Sequence, residues 1–455
     1  MTKKSYAITR SETTATKTEG CLSDNGPSAE HSTSSMRRPP TDRYCLVYII
    51  MLLHGVGVLI PWNMLITIAP FYFIQYKLTY FESQDKKTVS YYGQHFFSLI
   101  GIFSQVPNLL LNGINILLPT KKGNFIGRIG VSLSAVAASI ISIMIMIPIN
   151  SNNWIDTFFW ITMLLVVILN GANGLYQNSV YGLAARFPQR YINAIILGNN
   201  LAGTFVAVMN ILTLAITTHP IYSAVIYFSI ALSVVVLCLG STFLLKKFPF
   251  YTYYSQQAME TEGGENFIQQ SPINWTTYRE VFFKTFPQLL NVFTIFFVTL
   301  TCFPAMTAEI KPLKGEAFFI GDKYFTGVTC FLLFNLFAFL GSLGANFVKF
   351  PNRKYLWIPV FGRLIFIPFF FFCNYAPEIR GVMPVYVTST FVYLLGAVLM
   401  SFTSGYYCSL GMMYAPKSVS TNHAPIAGMM SAFSLILGIT VGLGFTFAIK
   451  WLIKE

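Results

Sequence analysis

Carboxamides fall inside runs that are otherwise apolar enough to cross a membrane: Gln177 and Asn178 interrupt one such run, and ten amides stand out as candidates, Asn63, Gln105, Asn108, Asn112, Asn170, Asn173, Gln177, Asn199, Asn200 and Asn335. An unpaired amide is expensive in hydrocarbon, so each must face protein or a wet path. Amides offer donors and acceptors together without charge, which suits sugar hydroxyls and the edges of planar bases. Trp62, Phe303 and Phe331 lie in the same runs and could stack on a planar ring. The competing role is glue between helices. For most single amides glue is the stronger reading; Gln105 and Gln177 are the two read as functional.

Ionisable groups are few in these runs. His54, His95 and Arg363 are present, and no Asp or Glu falls deep in any of them. Glu309 ends the seventh run and reads as interfacial. Ion-coupled carriers usually hold a carboxylate in the membrane, so its absence points to uncoupled movement of a neutral solute. His54 reads as a hydrogen-bonding group between helices, because no carboxylate accompanies it as a relay partner. An intramembrane enzyme would need a catalytic constellation, and none is visible. The seven cysteines are scattered without a CxxC or His/Cys cluster, so neither a metal, another cofactor nor a disulfide framework is expected.

Elements that could position these groups follow from composition. The chain is 54% hydrophobic and 10% charged, with a mean hydropathy of +0.57. Soluble chains carry about 25% charged residues. Eleven runs reach the roughly 20 residues that a transmembrane helix needs, centred near Gly57, Ser104, Ser139, Leu165, Gly203, Leu232, Val298, Phe337, Ile365, Leu395 and Gly438. The fourth and fifth are parted only by the turn Arg186 to Arg190. The expected fold is therefore an all-α integral membrane protein.

A net charge of +13 could suggest nucleic acid, but loop bias explains it and no nucleic acid partner is expected. With the amino terminus in the cytosol, the inner segments hold Arg37, Arg38, Lys121, Lys122, Arg186, Arg190, Lys246, Lys247, Lys349, Arg353 and Lys354. The outer side holds fewer, among them Lys77, Lys86, Lys87, Lys311 and Arg380. The positive-inside rule then places the carboxyl terminus outside. Residues 1–42 read as a disordered cytosolic tail, 43–247 as a six-helix half, 248–282 as a cytosolic linker and 283–455 as a five-helix half. The sole Asn-x-Ser/Thr sequon, at Asn274, falls in that linker. Two helical halves about a linker is a common transporter plan.

At these residues the chain resembles the equilibrative nucleoside transporters. LIPWNMLITIAPFYF resembles the family's first-span PWN signature, and SVYGLAARFPQRYINAIILGNNLAGTFVAV its fourth-to-fifth span signature. CFPAMTAEIKP, FLLFNLFAFLG, RLIFIPFFFFCN, SFTSGYYCSLGMMYAPK and AGMMSAFSLILGITVGLG follow in the family's order from the seventh span to the last. The resemblance implies eleven helices in a 6+5 arrangement like the major facilitator fold, facilitative transport by alternating access, and no enzyme activity. It implies purine and pyrimidine nucleosides as cargo, with nucleobases or another neutral polar solute, or a non-transporting receptor, as alternatives. It also implies residence in the lipid bilayer, by default at the plasma membrane with an intracellular membrane as the alternative.

Position by position, the resemblance implies that Leu59, Trp62, Asn63, Ile66, Gln105, Gln177, Phe303 and Asn335 bind substrate. It implies that Arg363 lies near the inner gate. One departure stands out. The family's eighth span reads FNxxDxxGR, and here Ala338 and Ser342 stand at the Asp and Arg positions. Losing both avoids leaving one buried charge unpaired. The expectation is that restoring both charges raises uridine uptake.

Overall fold

The computed structural model describes residues 40–82, 86–117, 125–216, 219–263, 275–311, 321–377, 380–381 and 384–454. The tail up to residue 39, Asn274 and the polar middle of the linker lie outside the described residues.

Helices dominate. α1 (Leu46–Ala69) runs on through a π-helical segment, Pro70–Lys77. A short hairpin of β1 (Thr79–Glu82) and β2 (Lys86–Val89) and the one-turn α2 (Tyr91–Gln94) lead into α3 (Phe96–Leu117). Then come α4 (Phe125–Met146), α5 (Ile155–Ala184), α6 (Gln189–Ile216) and α7 (Pro220–Leu245). After α8 (Pro249–Gly263) and α9 (Trp275–Cys302), the one-turn α10 (Asp322–Thr326) and a second π segment, Gly327–Leu332, lead into α11 (Leu333–Phe347). α12 (Trp357–Gly362) and α13 (Phe366–Phe371) follow, then α14 (Thr390–Tyr414) and α15 (Ala424–Lys454).

Ten of these helices, some counted with their flanking turns, are long and apolar enough to cross a membrane. They carry ten of the eleven expected centres. The centre at Ile365 falls instead in a shorter apolar stretch, Trp357–Phe371. A 3-10 turn at Arg363–Ile365 interrupts it between α12 and α13. Pro368 accounts for the interruption: it has no N–H to give the carbonyl one turn back, so the backbone tightens there.

Two boundaries differ from the sequence expectation. The linker begins with a helix, α8, because Phe250, Tyr251 and Tyr254 have an aromatic bed to bury on. Phe250 and Tyr254 lie 5.6 Å and 5.9 Å from Phe187, centroid to centroid. α9 also begins at Trp275, inside the expected linker, since Tyr278, Val281, Thr285 and Gln288 keep a buried face with helical spacing.

Packing follows small residues. α1 and α6 press together where Gly55 and Gly198 lack side chains: a Cβ on Gly55 would lie 2.1 Å from the Ile195 carbonyl oxygen, and one on Gly198 would lie 2.0 Å from that of Leu52. α3 and α4 flank α5, and α7 packs on α1 and α4. In the second half α9 pairs with α15 and α11 with α14. The halves meet through α6 against α11 and α14, and through α15 against α3 and α5.

Candidate functional site

Three amides of the first half, Asn112, Asn115 and Asn178, are spent on each other. Asn115 Nδ2 donates to Asn178 Oδ1 at 2.7 Å and to Ser179 Oγ at 3.2 Å. Asn178 Nδ2 donates to Asn112 Oδ1 at 2.8 Å and across to the Met429 carbonyl of α15 at 2.9 Å. Asn112 Nδ2 reaches the Gly174 carbonyl at 3.4 Å, and Arg128 caps Asn115 Oδ1 at 3.1 Å. His54 also acts within this scaffold, its Nδ1 lying 2.7 Å from the Tyr176 hydroxyl.

A second set knits the two halves together. Asn193 Nδ2 donates to the Ser342 carbonyl and to Asn346 Oδ1, both at 2.8 Å. Asn200 Nδ2 donates to Ser342 Oγ at 2.8 Å and to the Ala338 carbonyl at 3.3 Å. Asn346 Nδ2 reaches the Tyr48 hydroxyl at 3.4 Å, and Gln189 Nε2 reaches the Met413 carbonyl at 2.7 Å. These bonds lie between the middle of the bundle and the end that carries the basic turns. None involves a charged group. The sequence reading missed Asn193 and Asn346. Their signal was spacing: Asn193 and Asn200 are seven apart on α6, and Ser342 and Asn346 are four apart on α11.

Ala338 and Ser342, 2% and 0% exposed, belong to this seam. Ser342 Oγ donates to the Gly405 carbonyl at 3.2 Å, and a Cβ on Gly405 would lie 1.9 Å from the Ala338 carbonyl oxygen. The loss of both charges therefore goes with a closed α11–α14 junction. Both side chains are buried, so an Asp and an Arg at these positions would have to displace packed neighbours.

Five of the ten amides remain unspent. Asn63, Gln105, Asn108, Asn173 and Gln177 make no side-chain hydrogen bond with the described residues, although Asn108, Asn173 and Gln177 are only 6%, 4% and 2% exposed. On α1, Leu59, Trp62, Asn63 and Ile66 recur with helical spacing on one half-buried face. Gly55 on α1 meets Ile195 on α6, and α1 and α6 run parallel. Trp62 and Asn63 therefore lie at about the depth of Gly203, seven or eight residues further along each helix. Gly203 is where α11 brings Asn335: a Cβ there would lie 1.9 Å from Asn335 Oδ1. Next to Asn335, Phe334 stacks on Phe303 at 3.8 Å, and Phe331, one turn back, meets the same ring edge-on at 5.8 Å. Gln105 lies further from the basic end than Gln177, since Pro107 and Leu111 abut Gly171 while Asn115 reaches Asn178.

Arg363 is 2% exposed and bonded wholly within its own half. Its guanidinium donates to the Ile295 carbonyl at 3.2 Å, to Thr299 Oγ1 at 2.9 Å and to the Met400 carbonyl at 3.2 Å. It ties the Arg363 turn to α9 and α14 and makes no bond across the seam. Among the described residues no group of His, Cys, Asp or Glu could hold a metal ion.

Comparison with known proteins agrees with this architecture. A family model for the nucleoside transporters matches residues 163–451, more than half of the 455-residue chain. Human equilibrative nucleoside transporter 1 is 29% identical, over 90% of this chain and 98% of its own. Rat equilibrative nucleoside transporter 3 is 26% identical, over 89% and 88%. An equilibrative nucleotide transporter of Arabidopsis thaliana is 24% identical, over 94% and 93%. Among solved structures, the major facilitator proton:xylose symporter aligns with a TM-score of 0.59 at 10% identity, over 90% of this chain and 87% of its own. The Escherichia coli fucose:proton symporter aligns at 0.55 and 13%, over 92% and 98%. These two likenesses speak to fold alone. A helical membrane chain of major facilitator architecture, matched along most of its length by these carriers and along more than half by the family model, belongs to the nucleoside transporter family.

Proposed function

We propose that this chain moves purine and pyrimidine nucleosides down their gradients, without coupling to protons or sodium. The observation that carries the reading is Gln177: an amide only 2% exposed that, like Asn63, Gln105, Asn108 and Asn173, bonds no described residue. Such a group is stabilised once a ligand supplies the missing hydrogen bonds. Leu59, Trp62, Asn63 and Ile66 from α1, Gln105 from α3, and Phe303 and Asn335 from the other half complete the binding set. A base stacks among the aromatic rings while the free amides bond its edges.

The halves, taken as residues 43–247 and 283–455, rock about this site. Hydrogen bonds across the seam on the basic side fit an outward-facing state, with the amino terminus in the cytosol and the basic end closed. Arg363 keeps α9 and α14 in register, so any part it plays in gating passes through those helices. The plasma membrane is the proposed residence. A second reading, nucleobase transport, is favoured by the neutral pair Ala338 and Ser342, which offers no charge to ribose hydroxyls.

The deciding experiment is uptake of labelled uridine, adenosine and hypoxanthine into proteoliposomes holding the purified protein, with and without pH or sodium gradients. Saturable, gradient-independent nucleoside uptake is expected. Uptake of hypoxanthine alone would replace the first reading with the second, and no uptake of any would remove both.

A further inference from the structure

Far from the seam, on the outer surface of the first half, a groove of about 510 Å³ opens between α4 and α7. Gly130, Val131 and Ser134 form one wall, Leu239 and Phe243 the other, and Lys246 closes one end. A Cβ on Gly130 would meet nothing within 4 Å, so the gap begins at the backbone itself. The Ser134 hydroxyl is already spent on the Gly130 carbonyl at 2.9 Å, which leaves the walls apolar in effect. Val131 and Phe243 are 73% and 57% exposed, on the surface that a bilayer covers. Leu239 precedes Lys246 by seven residues, so the groove runs roughly 10 Å into the apolar zone from its basic end.

The charge at that end is unanswered. Lys246 and Lys247 follow the last turn of α7, and neither ammonium has a hydrogen-bond or ion-pair partner among the described residues. Lysines at the edge of an apolar belt attract anionic headgroups, which are concentrated in the cytosolic leaflet where the basic loops also belong.

We propose that the α4–α7 groove seats an acyl chain of one anionic phospholipid, with its phosphate held at Lys246 and Lys247. The chain fills a slot that neither helix fills. The headgroup neutralises two ammonium groups that the protein leaves open. This site stands apart from the substrate residues and does not depend on the transported solute.

Native mass spectrometry of the full chain, released from nanodiscs of phosphatidylcholine with a minor share of phosphatidylserine, tests it. The unmodified protein should retain one phosphatidylserine in preference to phosphatidylcholine. Lys246→Gln with Lys247→Gln should reduce that preference about fivefold for each lysine. Gly130→Leu fills the groove from a position with open space and should lose the bound lipid with its melting temperature unchanged. Gly240→Leu, also open within 4 Å and outside the groove, should keep it. Equal retention of both lipids, a preference that survives the double lysine change, or a lipid that stays bound in Gly130→Leu would each overturn the proposal. So would displacement of the lipid by millimolar inorganic phosphate.

Discussion

Asn178 and Gln177 are neighbours on one helix and have opposite fates. Asn178 bonds three partners on two other helices, while Gln177 is nearly as deeply buried and bonds none. Both amides look alike in the sequence, and both interrupt the same apolar run. The difference lies in the direction each takes from the helix, about 100° apart. One faces the scaffold formed by α3 and α15. The other bonds no described residue, which is what the proposed binding role requires.

The comparison can be broken at several points. Ala338→Asp with Ser342→Arg should have the largest effect. Two long polar groups would enter a junction where Gly405 already touches backbone, so little folded protein should be recovered by size-exclusion chromatography. Raised uridine uptake by that variant would instead show that the seam opens to accept the family's pair. Asn178→Leu comes next. It strips bonds from Asn112, Asn115 and Met429, and at about 1–3 kcal/mol for each buried group left unpaired it should visibly lower the thermal midpoint.

Gln177→Leu should leave that midpoint unchanged or raise it, because no bond inside the protein is lost. Its nucleoside kcat/KM should fall about tenfold, the size of one hydrogen bond of roughly 1.4 kcal/mol to substrate. A variant that melts early with unaltered kinetics would return Gln177 to the scaffold. The smallest effect expected is none: transport should be flat from mildly acidic to mildly basic pH, since the seam bonds are all between neutral groups. Asn200→Asp would place a carboxyl beside Ser342 Oγ and should introduce a pH dependence where there was none. A steep pH profile in the unmodified protein would point to a coupled carrier.

The helical plan was legible because long apolar runs dictate crossings almost regardless of context. Even the turn between α5 and α6 was visible, as Arg186 to Arg190 parts two strong runs. The ninth segment was legible as apolar but not as broken, although Pro368 marks the break. Helix α8 was hidden because its aromatic residues only become a buried face once Phe187 and Tyr191 are placed opposite. The amides were legible as a class and illegible as pairs. Which of them meet depends on the depth and rotation of helices far apart in sequence, as with Asn193 and Asn346, 153 residues apart. Gln177 and Gln105 are read as functional among the amides, and the family likeness implies the same. The closed surroundings of Ala338 and Ser342 could not be read at all, because they depend on Gly405 in another helix.

The close approach of Gly55 and Gly198 has a mechanical consequence. It makes α1 and α6 a single lever. One arm carries Leu59, Trp62, Asn63 and Ile66, and the other carries Asn193, Asn200 and Gly203. With backbone pressed on backbone there is no slack between the arms. On the proposed site, a push that a bound solute exerts on the first arm would reach the seam bonds of the second through backbone contact, without a relay of side chains.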